Sequence, residues 1–192
     1  MSSFYSREEL QQIGFQSIGE EVYISRKASI YGAEHMILGS YVRVDDFCVL
    51  SGNIKTGDYV HIAVYTCLFG GDVGIVLSDF TTVSSRCAIY AKSDDYSGAA
   101  LANPLIPEEY NHIISGKVAL EKYVLIGTGS TILPGVTIHE GTSVGSMSLV
   151  NRSLDSWGMY VGIPCRRLKD RNKGLLDKER EFLAKNNGGR ER

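Results

Sequence analysis

Histidine is the side chain best suited to acid–base chemistry near neutral pH, because its reference pKa lies closest to that range. The chain has four, His35, His61, His112 and His139. His61 is the candidate general base. It is the last residue of a six-residue unit, within residues 58–63 (DYVHIA), where its side chain should lie at a corner and face outward. The alternative is an exposed corner histidine without a chemical role.

Two pairs of adjacent aspartates are the other candidates. Asp94 and Asp95, followed by Tyr96, begin a segment without repeats, and Asp45 and Asp46 lie upstream. A carboxylate can orient an imidazole or accept a hydrogen bond from a ligand, but its reference pKa near 3.9 makes it a weak base for an alcohol. We expect Asp94 and Asp95 to act in catalysis. Asp45, Asp46 and Tyr96 are expected to contact the substrate. The alternative for Asp94 and Asp95 is that they only form Asx turns in a loop. The alternative for Asp45 and Asp46 is that they are solvated surface carboxylates.

A six-residue period predicts the elements that hold these side chains. Apolar residues lead successive units at Leu38, Val44, Leu50, Thr56, Ile62 and Leu68, then, after a shift of three, at Leu77, Val83 and Ile89, and again at Leu120, Ile126, Ile132, Ile138, Val144 and Val150. Four positions after each of the last six comes a small or aliphatic residue, from Val124 to Leu154. This period is typical of a parallel β-helix, in which three units of one short strand and one corner close a coil. A β-sandwich alternates with period two, so we favour it less.

One long loop interrupts the repeats, and two helices flank them. Residues 6–9 (SREE) have the form of a capping box and predict a short helix from about Arg7 to Gln12. The apolar spacing of residues 173–186 predicts a second helix, packed on the last coil. Residues 92–117 contain two prolines and no six-residue period, which predicts an extruded loop of the length usually kept for function. The chain is expected to be a single domain, with a cap at 1–19, a β-helix at 20–170, and a helix and tail at 171–192.

The bulk composition excludes several classes of protein. A net charge of −2 and a pI near 6.1 argue against a nucleic-acid surface. No apolar run approaches the roughly 20 residues of a membrane span, and residues 1–15 lack the apolar core of a secretory signal. The four cysteines have neither metal-type nor disulfide-framework spacing. These features predict a reduced cytoplasmic protein without a membrane span.

Units of the form [Leu/Ile/Val]-Gly-x-x-[small]-x, ending in residues 160–168 (YVGIPCRRL), resemble the hexapeptide-repeat acyltransferases. Within that family the chain is most similar to the galactoside and maltose acetyltransferases and to the sugar acetyltransferases of surface-polysaccharide pathways. The resemblance covers about residues 20 to 170. It implies an all-β fold, a left-handed parallel β-helix, and a homotrimer with its ligand sites in the clefts between subunits.

The same resemblance implies acetyl-CoA as co-substrate and assigns residues to it. Gly127-Thr128 and Gly145-Ser146 recur 18 residues apart, one coil, and so should stack on one edge. There the backbone could hold the pantetheine arm as a sheet edge holds a peptide. The resemblance places further contacts at Asn151, Arg152, Arg166 and Lys169, the last two near the phosphates. The alternative is that glycine is needed only for the corner geometry.

The start of the extruded loop departs from the galactoside-type pattern. Those enzymes carry their catalytic histidine there, whereas this chain has residues 93–96 (SDDY). A sugar amine with a pKa near neutrality could attack without a base, so the missing histidine favours N-acetylation. Counting units places His61 and Asp94 on different edges of the coil, so they could share a site only across a subunit interface.

The sequence as a whole predicts an acetyl-CoA-dependent acetyltransferase acting on a hydroxyl or amine of a sugar. The resemblance points to a nucleotide-linked deoxyamino sugar for surface polysaccharide, with no metal. A galactoside-type O-acetyltransferase of free sugars and a non-catalytic β-helix scaffold are the alternatives. The β-helix carbonic anhydrases need three histidines on zinc, and this chain has no closely spaced histidine pair.

Overall fold

The computed structural model describes residues 3–187, most of which form a parallel β-solenoid of about seven turns, as predicted. Helix α1 (Arg7–Ile13) precedes the solenoid and helix α2 (Leu175–Asn187) follows it. The predicted capping box is present, since the Ser6 hydroxyl accepts from the Glu9 N–H and the Glu9 carboxylate accepts from the Ser6 N–H. The expected C-terminal tail, residues 188–192, lies outside the described residues. Within that described range, no helix is both long and apolar enough to cross a bilayer.

The strands are short because each supplies one side of a coil. In chain order they are β1 (Ser17–Ile18), β2 (Tyr23–Ile24), β3 (Ser29–Tyr31), β4 (Met36–Leu38), β5 (Arg43–Val44), β6 (Val49–Thr56), β7 (His61–Ile62), β8 (Cys67–Leu77), β9 (Thr82–Val83), β10 (Ala88–Tyr90), β11 (Lys92–Asp94), β12 (Ile113–Ser115), β13 (Val118–Leu120), β14 (Leu125–Ile126), β15 (Thr131–Ile132), β16 (Thr137–Ile138), β17 (Ser143–Val144), β18 (Leu149–Val150), β19 (Gly158–Gly162) and β20 (Cys165–Asp170). The coil strands pair in parallel, whereas β11–β12 and β19–β20 are antiparallel hairpins.

Three columns of inward-facing side chains form the core, because equivalent residues of successive coils lie in register. Column A contains Ile18, Leu38, Thr56, Leu77, Leu120, Ile138 and Leu154. Column B contains Ile24, Val44, Ile62, Val83, Ile126, Val144 and Tyr160. Column C contains Ile30, Leu50, Leu68, Ile89, Ile132 and Val150. From Leu38 onward all of them are buried, which confirms the predicted leading positions.

All variation in coil length falls on one edge of the solenoid. Columns A and B, and columns B and C, are six positions apart in every coil. A column C residue and the next column A residue are instead 8, 6, 9, 31, 6 and 4 positions apart in successive coils. We name the corners the AB, BC and CA edges, so the 92–117 loop leaves the CA edge. The last CA corner is two residues shorter than a six-residue unit. Leu154 therefore stacks on Ile138 in column A, whereas the sequence predicted it as the small or aliphatic residue of the unit that Val150 leads.

An aromatic ladder occupies the AB edge. Tyr41, Tyr59, Phe80, Tyr123 and Trp157 hold the same corner position, each with φ between 56° and 63°. Consecutive ring centroids are 4.6, 4.8, 5.8 and 6.1 Å apart, and stacking of this kind offsets part of the cost of left-handed backbone at non-glycine residues.

Helix α2 packs on this ladder through Phe182, whose ring meets Tyr59 edge-on at 5.3 Å. We predicted that this helix packs on the last coil, but Phe182 contacts a residue of a much earlier coil. The helix instead contacts earlier coils, where Phe182 meets Tyr59 and Glu179 pairs with Lys122.

Candidate active site

His61 and Asp45 form a hydrogen-bonded pair on the BC side of the solenoid. β5 and β7 are neighbouring strands, with Arg43 opposite His61. Asp45 Oδ2 lies 2.8 Å from His61 Nε2, and Asp45 Oδ1 lies 2.7 Å from Arg43 Nε. An ionised carboxylate only accepts hydrogen bonds, so Nε2 is the donor and Nδ1 of a neutral His61 is the acceptor. The imidazole therefore has a carboxylate partner that our sequence analysis assigned to substrate contact.

Charge balance keeps Asp45 ionised. Its side chain is 19% exposed, and this burial raises the pKa of the carboxyl. Hydrogen bonds from His61 and Arg43 lower it further than burial raises it, so the pKa lies below its ordinary value. Arg43 also lies over the Phe4 ring, at 5.2 Å from its centroid. The N-terminal segment thus helps to hold Arg43 beside Asp45.

Asp46 is held by structural partners. Lys27 Nζ lies 2.8 Å from Asp46 Oδ2, and the Ser25 hydroxyl donates to Oδ1. The hydrogen bond from Lys27 is the main cause that lowers the pKa of Asp46. Both oxygens are thus engaged in tying the first coil to the second.

A row of small residues follows column B along the BC edge. Asp45, Ala63, Ser84, Gly127 and Gly145 each come directly after a column B residue, in consecutive coils. The predicted one-coil stack of the two glycines is therefore present. Our sequence analysis missed Ser84, and the signal was available, because Ser84 occupies the same position of its unit as the two glycines.

Close packing between coils requires glycine at this edge. A Cβ built on Gly127 would lie 2.5 Å from Ser146 N, and one on Gly145 would lie 2.6 Å from Val161 Cγ1. The N–H groups of Gly127 and Gly145 donate to Val144 and Tyr160. Their carbonyls accept from the Cys87 thiol and from the Ser130 and Ser148 hydroxyls. The neighbouring side chains of Thr128 and Ser146 are exposed to solvent at this edge.

The extruded loop exposes the carboxylate of Asp94 to solvent. The carboxylate of Asp95 instead bonds within the neck of the loop, which is the base where β11 pairs with β12. Asp94 is exposed in β11, and Tyr96 is 91% exposed. Asp95 instead accepts from the Ser97 N–H at 2.8 Å and from the Ser97 hydroxyl at 2.7 Å, and lies 3.2 Å from His112 Nδ1. These bonds lower the pKa of Asp95, with the Ser97 backbone contact as the largest cause. The Asx-turn alternative therefore describes Asp95, whereas Asp94 faces solvent.

His61 and Asp94 lie on different edges, in agreement with the count of repeats. His61 directly precedes column B, and Asp94 follows column C on the CA edge. Within one chain the loop therefore does not bring Asp94 to the BC edge.

One amide and three cationic side chains lie at the last two coils. Asn151, Arg152, Arg166 and Lys169 are all exposed, and the hairpin register places Arg166 opposite Val161 and Lys169 opposite Met159. Burial raises the pKa of the Cys165 thiol, while the charges of Arg152 and Arg166 act on it in the opposite direction.

Comparison with known proteins of similar sequence and fold assigns this chain to a family. No protein-family profile matches the chain. The chain is 44% identical over 177 residues to the dTDP-4-amino-4,6-dideoxy-D-glucose acyltransferase of Escherichia coli, covering 91% of this chain and 92% of that protein. The chain belongs to the hexapeptide-repeat acyltransferases. It is therefore an acyltransferase, as predicted.

Two other members of the hexapeptide-repeat acyltransferase family extend the comparison. AntD, an N-acyltransferase from Bacillus cereus, superimposes with a TM-score of 0.95 at 52% identity, over 97% of this chain and 100% of AntD, in a complex with dTDP and 3-hydroxybutyryl-CoA. The putative lipopolysaccharide biosynthesis O-acetyl transferase WbbJ of Escherichia coli K12 is 30% identical over 155 residues, 78% of this chain and 76% of WbbJ. The CoA complexes of AntD confirm the predicted class of co-substrate.

Residues 3–187 contain no ligand set for a zinc site of the carbonic anhydrase type. No three side chains of His, Cys, Asp or Glu converge there in a way that could hold a metal ion.

Proposed function

We propose that this protein transfers an acyl group from an acyl-CoA thioester to the 4-amino group of a dTDP-linked 4-amino-4,6-dideoxyhexose. The observation that carries the proposal is the likeness to AntD, with a TM-score of 0.95 and 51% identity over 96% of this chain. AntD has been solved in complex with dTDP-4-amino-4,6-dideoxyglucose and coenzyme A. The Escherichia coli relative is named for the same sugar nucleotide.

The BC edge is proposed to hold the donor. Thr128 and Ser146 are exposed on adjacent coils, so an extended pantetheine arm can lie along them. The diphosphate end would then meet Asn151 and the cationic side chains of Arg152, Arg166 and Lys169 at the last coils. The opposite end of the arm, which carries the thioester, would lie near Ser84, one coil before Gly127.

The spacing of two substituted positions in AntD supports Ser84 and Asp94 as site residues. Structures of AntD include variants of one serine and of one aspartate that are ten positions apart. In this chain a serine precedes an aspartate by ten positions only at Ser84 and Asp94 and at Ser85 and Asp95. Asp95 is engaged in the loop neck, which favours the first pair.

The proposed chemistry needs little from the protein beyond positioning. The sugar amine attacks the thioester carbonyl carbon, an amide C–N bond forms, the C–S bond breaks, and coenzyme A leaves as its thiol with the amine proton. Asp94 would accept a hydrogen bond from the amine and hold it in line, an effect worth far more than its weak basicity. His61 lies two coils and Asp45 three coils before Gly127 on the same side, and both would contact polar groups of the acceptor.

The same proposal includes a homotrimer, because Ser84 and Asp94 lie on different edges. The outward side chains of strands in column C are small or aliphatic, half-buried residues: Val49, Cys67, Ala88, Thr131 and Leu149. The loop adds exposed apolar residues, with Leu105 90% and Leu101 58% exposed. Apolar surface of this kind is typical of an interface. A second copy of the chain covering both would bring the loop of one subunit to the BC edge of the next.

We further propose a single acyltransferase domain that works in the cytoplasm in the synthesis of surface polysaccharide. One apolar core runs from Leu10 to Cys165. All four cysteines are free, which suits a reducing compartment. WbbJ is named for lipopolysaccharide biosynthesis.

O-acylation is the second candidate, and the His61–Asp45 pair favours it. A histidine oriented by a carboxylate is the usual general base for a hydroxyl nucleophile. The decisive experiment incubates the protein with an acyl-CoA and either dTDP-4-amino-4,6-dideoxyglucose or the dTDP sugar that carries a hydroxyl in place of the amine, and measures product mass. We expect acylation of the amine alone. Acylation of the hydroxyl sugar only, or of neither, would overturn the proposal.

A further inference from the structure

A second row of corner residues follows the BC edge, two positions after the row of small residues. Each member comes three positions after a column B residue. Backbone hydrogen bonds tie successive corners together, for example from Tyr65 N–H to the Asp46 carbonyl and from Arg86 N–H to the Val64 carbonyl. We call this set the BC row, and its members are Lys27, Phe47, Tyr65, Arg86, Gly129 and Met147. From Phe47 onward each has φ between 57° and 73°.

The first coils of the BC row carry an exposed pair of stacked rings. The centroids of Phe47 and Tyr65 are 5.0 Å apart and their planes differ by 13°. Phe47 is 45% and Tyr65 is 50% exposed. Lys27 Nζ lies 5.3 Å from the Phe47 centroid. Within residues 3–187 no further ring stacks on Tyr65, so the face of Tyr65 that points to the next coil is open to a planar ligand.

Arg86 supplies a free cation beside this open ring face. It follows Tyr65 in the BC row, one coil or about 4.8 Å further along the solenoid. Arg86 is exposed, and among the described residues its guanidinium group has no ion pair, hydrogen bond or ring contact. Lys27, at the other end of the ring pair, is instead bound to Asp46 at 2.8 Å. Because a guanidinium group binds phosphate oxygens well, the row combines an open ring face with an unused anion-binding group.

The ring pair and Arg86 adjoin the proposed reaction site on the side away from the donor. Ser84 precedes Arg86 by two residues, which is about 7 Å of chain at most. The donor is proposed to run from Ser84 toward the last coils. Phe47 and Tyr65 lie on the earlier coils, beyond the thioester end. This part of the BC edge is therefore left for the acceptor.

We propose that the BC row binds the nucleoside diphosphate of the acceptor, with the base stacked on Tyr65, Phe47 supporting that ring, and the Arg86 guanidinium on the diphosphate. The inference rests on the proposed function, since it locates the acceptor of that same reaction. A planar base joined to an anion matches an open ring face beside a free cation. The sugar, attached to the far side of the diphosphate, then extends toward Ser84. Stacking uses the face of the base and not its hydrogen-bonding edge, so the subsite takes pyrimidine nucleoside diphosphates as a class.

Binding of dTDP tests the ring. Tyr65→Ala should raise the Kd for dTDP at least about fivefold, because stacking on an aromatic side chain contributes about that much or more per base. Tyr65→Phe keeps the ring and should keep the wild-type Kd. Tyr41→Ala is the matched control, since Tyr41 also has a positive φ, stacks on a ring of the next coil and is 39% exposed, but lies on the AB edge.

Titration calorimetry measures the Kd for dTDP, and light scattering measures the mass of each variant. Equal rises of Kd in Tyr65→Ala and Tyr41→Ala would show that the rings only support the coil, and would overturn the proposal. A lower mass for Tyr65→Ala alone would assign the ring pair to a contact between subunits, which also overturns it.

Steady-state kinetics test the charge. Arg86→Gln should raise KM for dTDP-4-amino-4,6-dideoxyglucose about tenfold or more, because a hydrogen bond between charged groups is lost, and should leave KM for the acyl-CoA unchanged. Arg166→Gln is the crossed control, since Arg166 is proposed to meet the donor and should change KM for the acyl-CoA alone. A rise in KM for the acyl-CoA alone in Arg86→Gln would assign Arg86 to the donor and overturn the proposal.

A change of base tests the means of recognition. dCDP keeps a pyrimidine ring, but where thymine has an acceptor oxygen cytosine has a donor amino group. If stacking holds the base, the Kd for dCDP should lie within about tenfold of that for dTDP. A greater difference would show that hydrogen bonds select the base, and would overturn stacking as the means of binding.

The outcomes separate this inference from the proposed function. If the wild-type protein acylates the amino sugar but Tyr65→Ala and Arg86→Gln bind dTDP and the sugar as the wild type does, the subsite is wrong and the reaction stands. If the wild-type protein binds dTDP through Tyr65 and Arg86 but no acyl-CoA supports transfer, the subsite stands and the proposed function fails.

Discussion

Hydrogen-bond partners divide the predicted acidic residues into three groups. Asp46 and Asp95 have both oxygens engaged by neighbouring side chains or backbone, so their role is to hold the local structure. Asp94 faces solvent from β11. Asp45 belongs to a third kind, because it orients His61 while Arg43 holds its other oxygen. The residue type alone could not distinguish these roles.

Replacement of His61 tests the acceptor atom. If the acceptor is an amine, His61→Ala should lower kcat less than about tenfold, because the nucleophile needs no base. With a hydroxyl acceptor the loss should be roughly 10²–10⁴-fold. His139→Ala is the matched control, since His139 is 44% exposed against 41% for His61 and also lies beside a carboxylate, Glu121. Steady-state kinetics with both acceptors decides the matter. A similarly large loss of kcat in His139→Ala would show that the loss in His61→Ala is not specific to His61.

Asp45 should make the fold sensitive to acid. Its pKa is lower in the folded chain than in the unfolded chain. The resulting stabilisation is therefore present above the unfolded value near 3.9 and is lost as pH falls through the folded value. We expect the melting temperature of the wild-type protein to drop below about pH 4, and that of Asp45→Asn to drop less steeply. Thermal unfolding followed by circular dichroism from pH 6 to pH 2.5 measures both slopes. Parallel curves would contradict the assignment.

At the scale of the elements, helix α2 is fixed by one polar cluster and one apolar contact. Glu179 Oε1 lies 2.8 Å from Lys122 Nζ, and Glu179 Oε2 accepts from the Tyr123 hydroxyl. Burial acts to lower the pKa of Lys122, but the hydrogen bonds with Glu179 and Tyr123 outweigh it and raise the pKa to about 12. Together with Phe182 on Tyr59, these contacts hold α2 against the solenoid.

Removal of the Glu179 charge should weaken α2 more than removal of a neighbouring charge. Glu179→Gln should lower the free energy of unfolding by about 1–3 kcal/mol, because the buried Tyr123 hydroxyl and the partly exposed Lys122 ammonium lose a charged acceptor. Glu181→Gln is the matched control on the same helix. The side chains of Lys178 and Glu181 are 76% and 58% exposed, so its cost should be about 0.5 kcal/mol or less. Urea unfolding compares the two. Equal losses would show that the Lys122–Tyr123 contact does not anchor the helix.

At the scale of the whole molecule, the solenoid separates its functions by edge. The AB edge carries the aromatic ladder and α2, the BC edge carries Ser84 and the stacked glycines, and the CA edge takes every change in coil length. Insertions on one edge leave the three columns in register, since each column depends only on contacts one coil away. A loop can therefore grow on the CA edge without moving the residues of the BC edge.

Mixed assemblies test whether one site uses two chains. Ser84→Trp should block the BC edge, and Asp94→Ala should raise KM for the acceptor, so each variant alone should be nearly inactive at low acceptor concentration. If a site takes Ser84 from one subunit and Asp94 from the next, each trimer that contains both variants has one intact site, so the mixed trimers should regain about one third of the wild-type sites. Co-expression of differently tagged variants, followed by tandem purification and assay, measures this. Activity no greater than that of the separate variants would argue for sites within single chains.

The sequence determined which face of the coil each residue occupies. A strict six-residue period places Gly127 and Gly145 one coil apart and puts His61 and Asp94 on different edges, because a local repeat fixes orientation without any distant contact. Tertiary structure alone decided the side-chain partners. Asp45 reaches His61, Asp95 closes the loop neck with His112, and Phe182 meets Tyr59. These contacts depend on rotamers and on segments that lie outside the repeat, and the six-residue period contains no information about either.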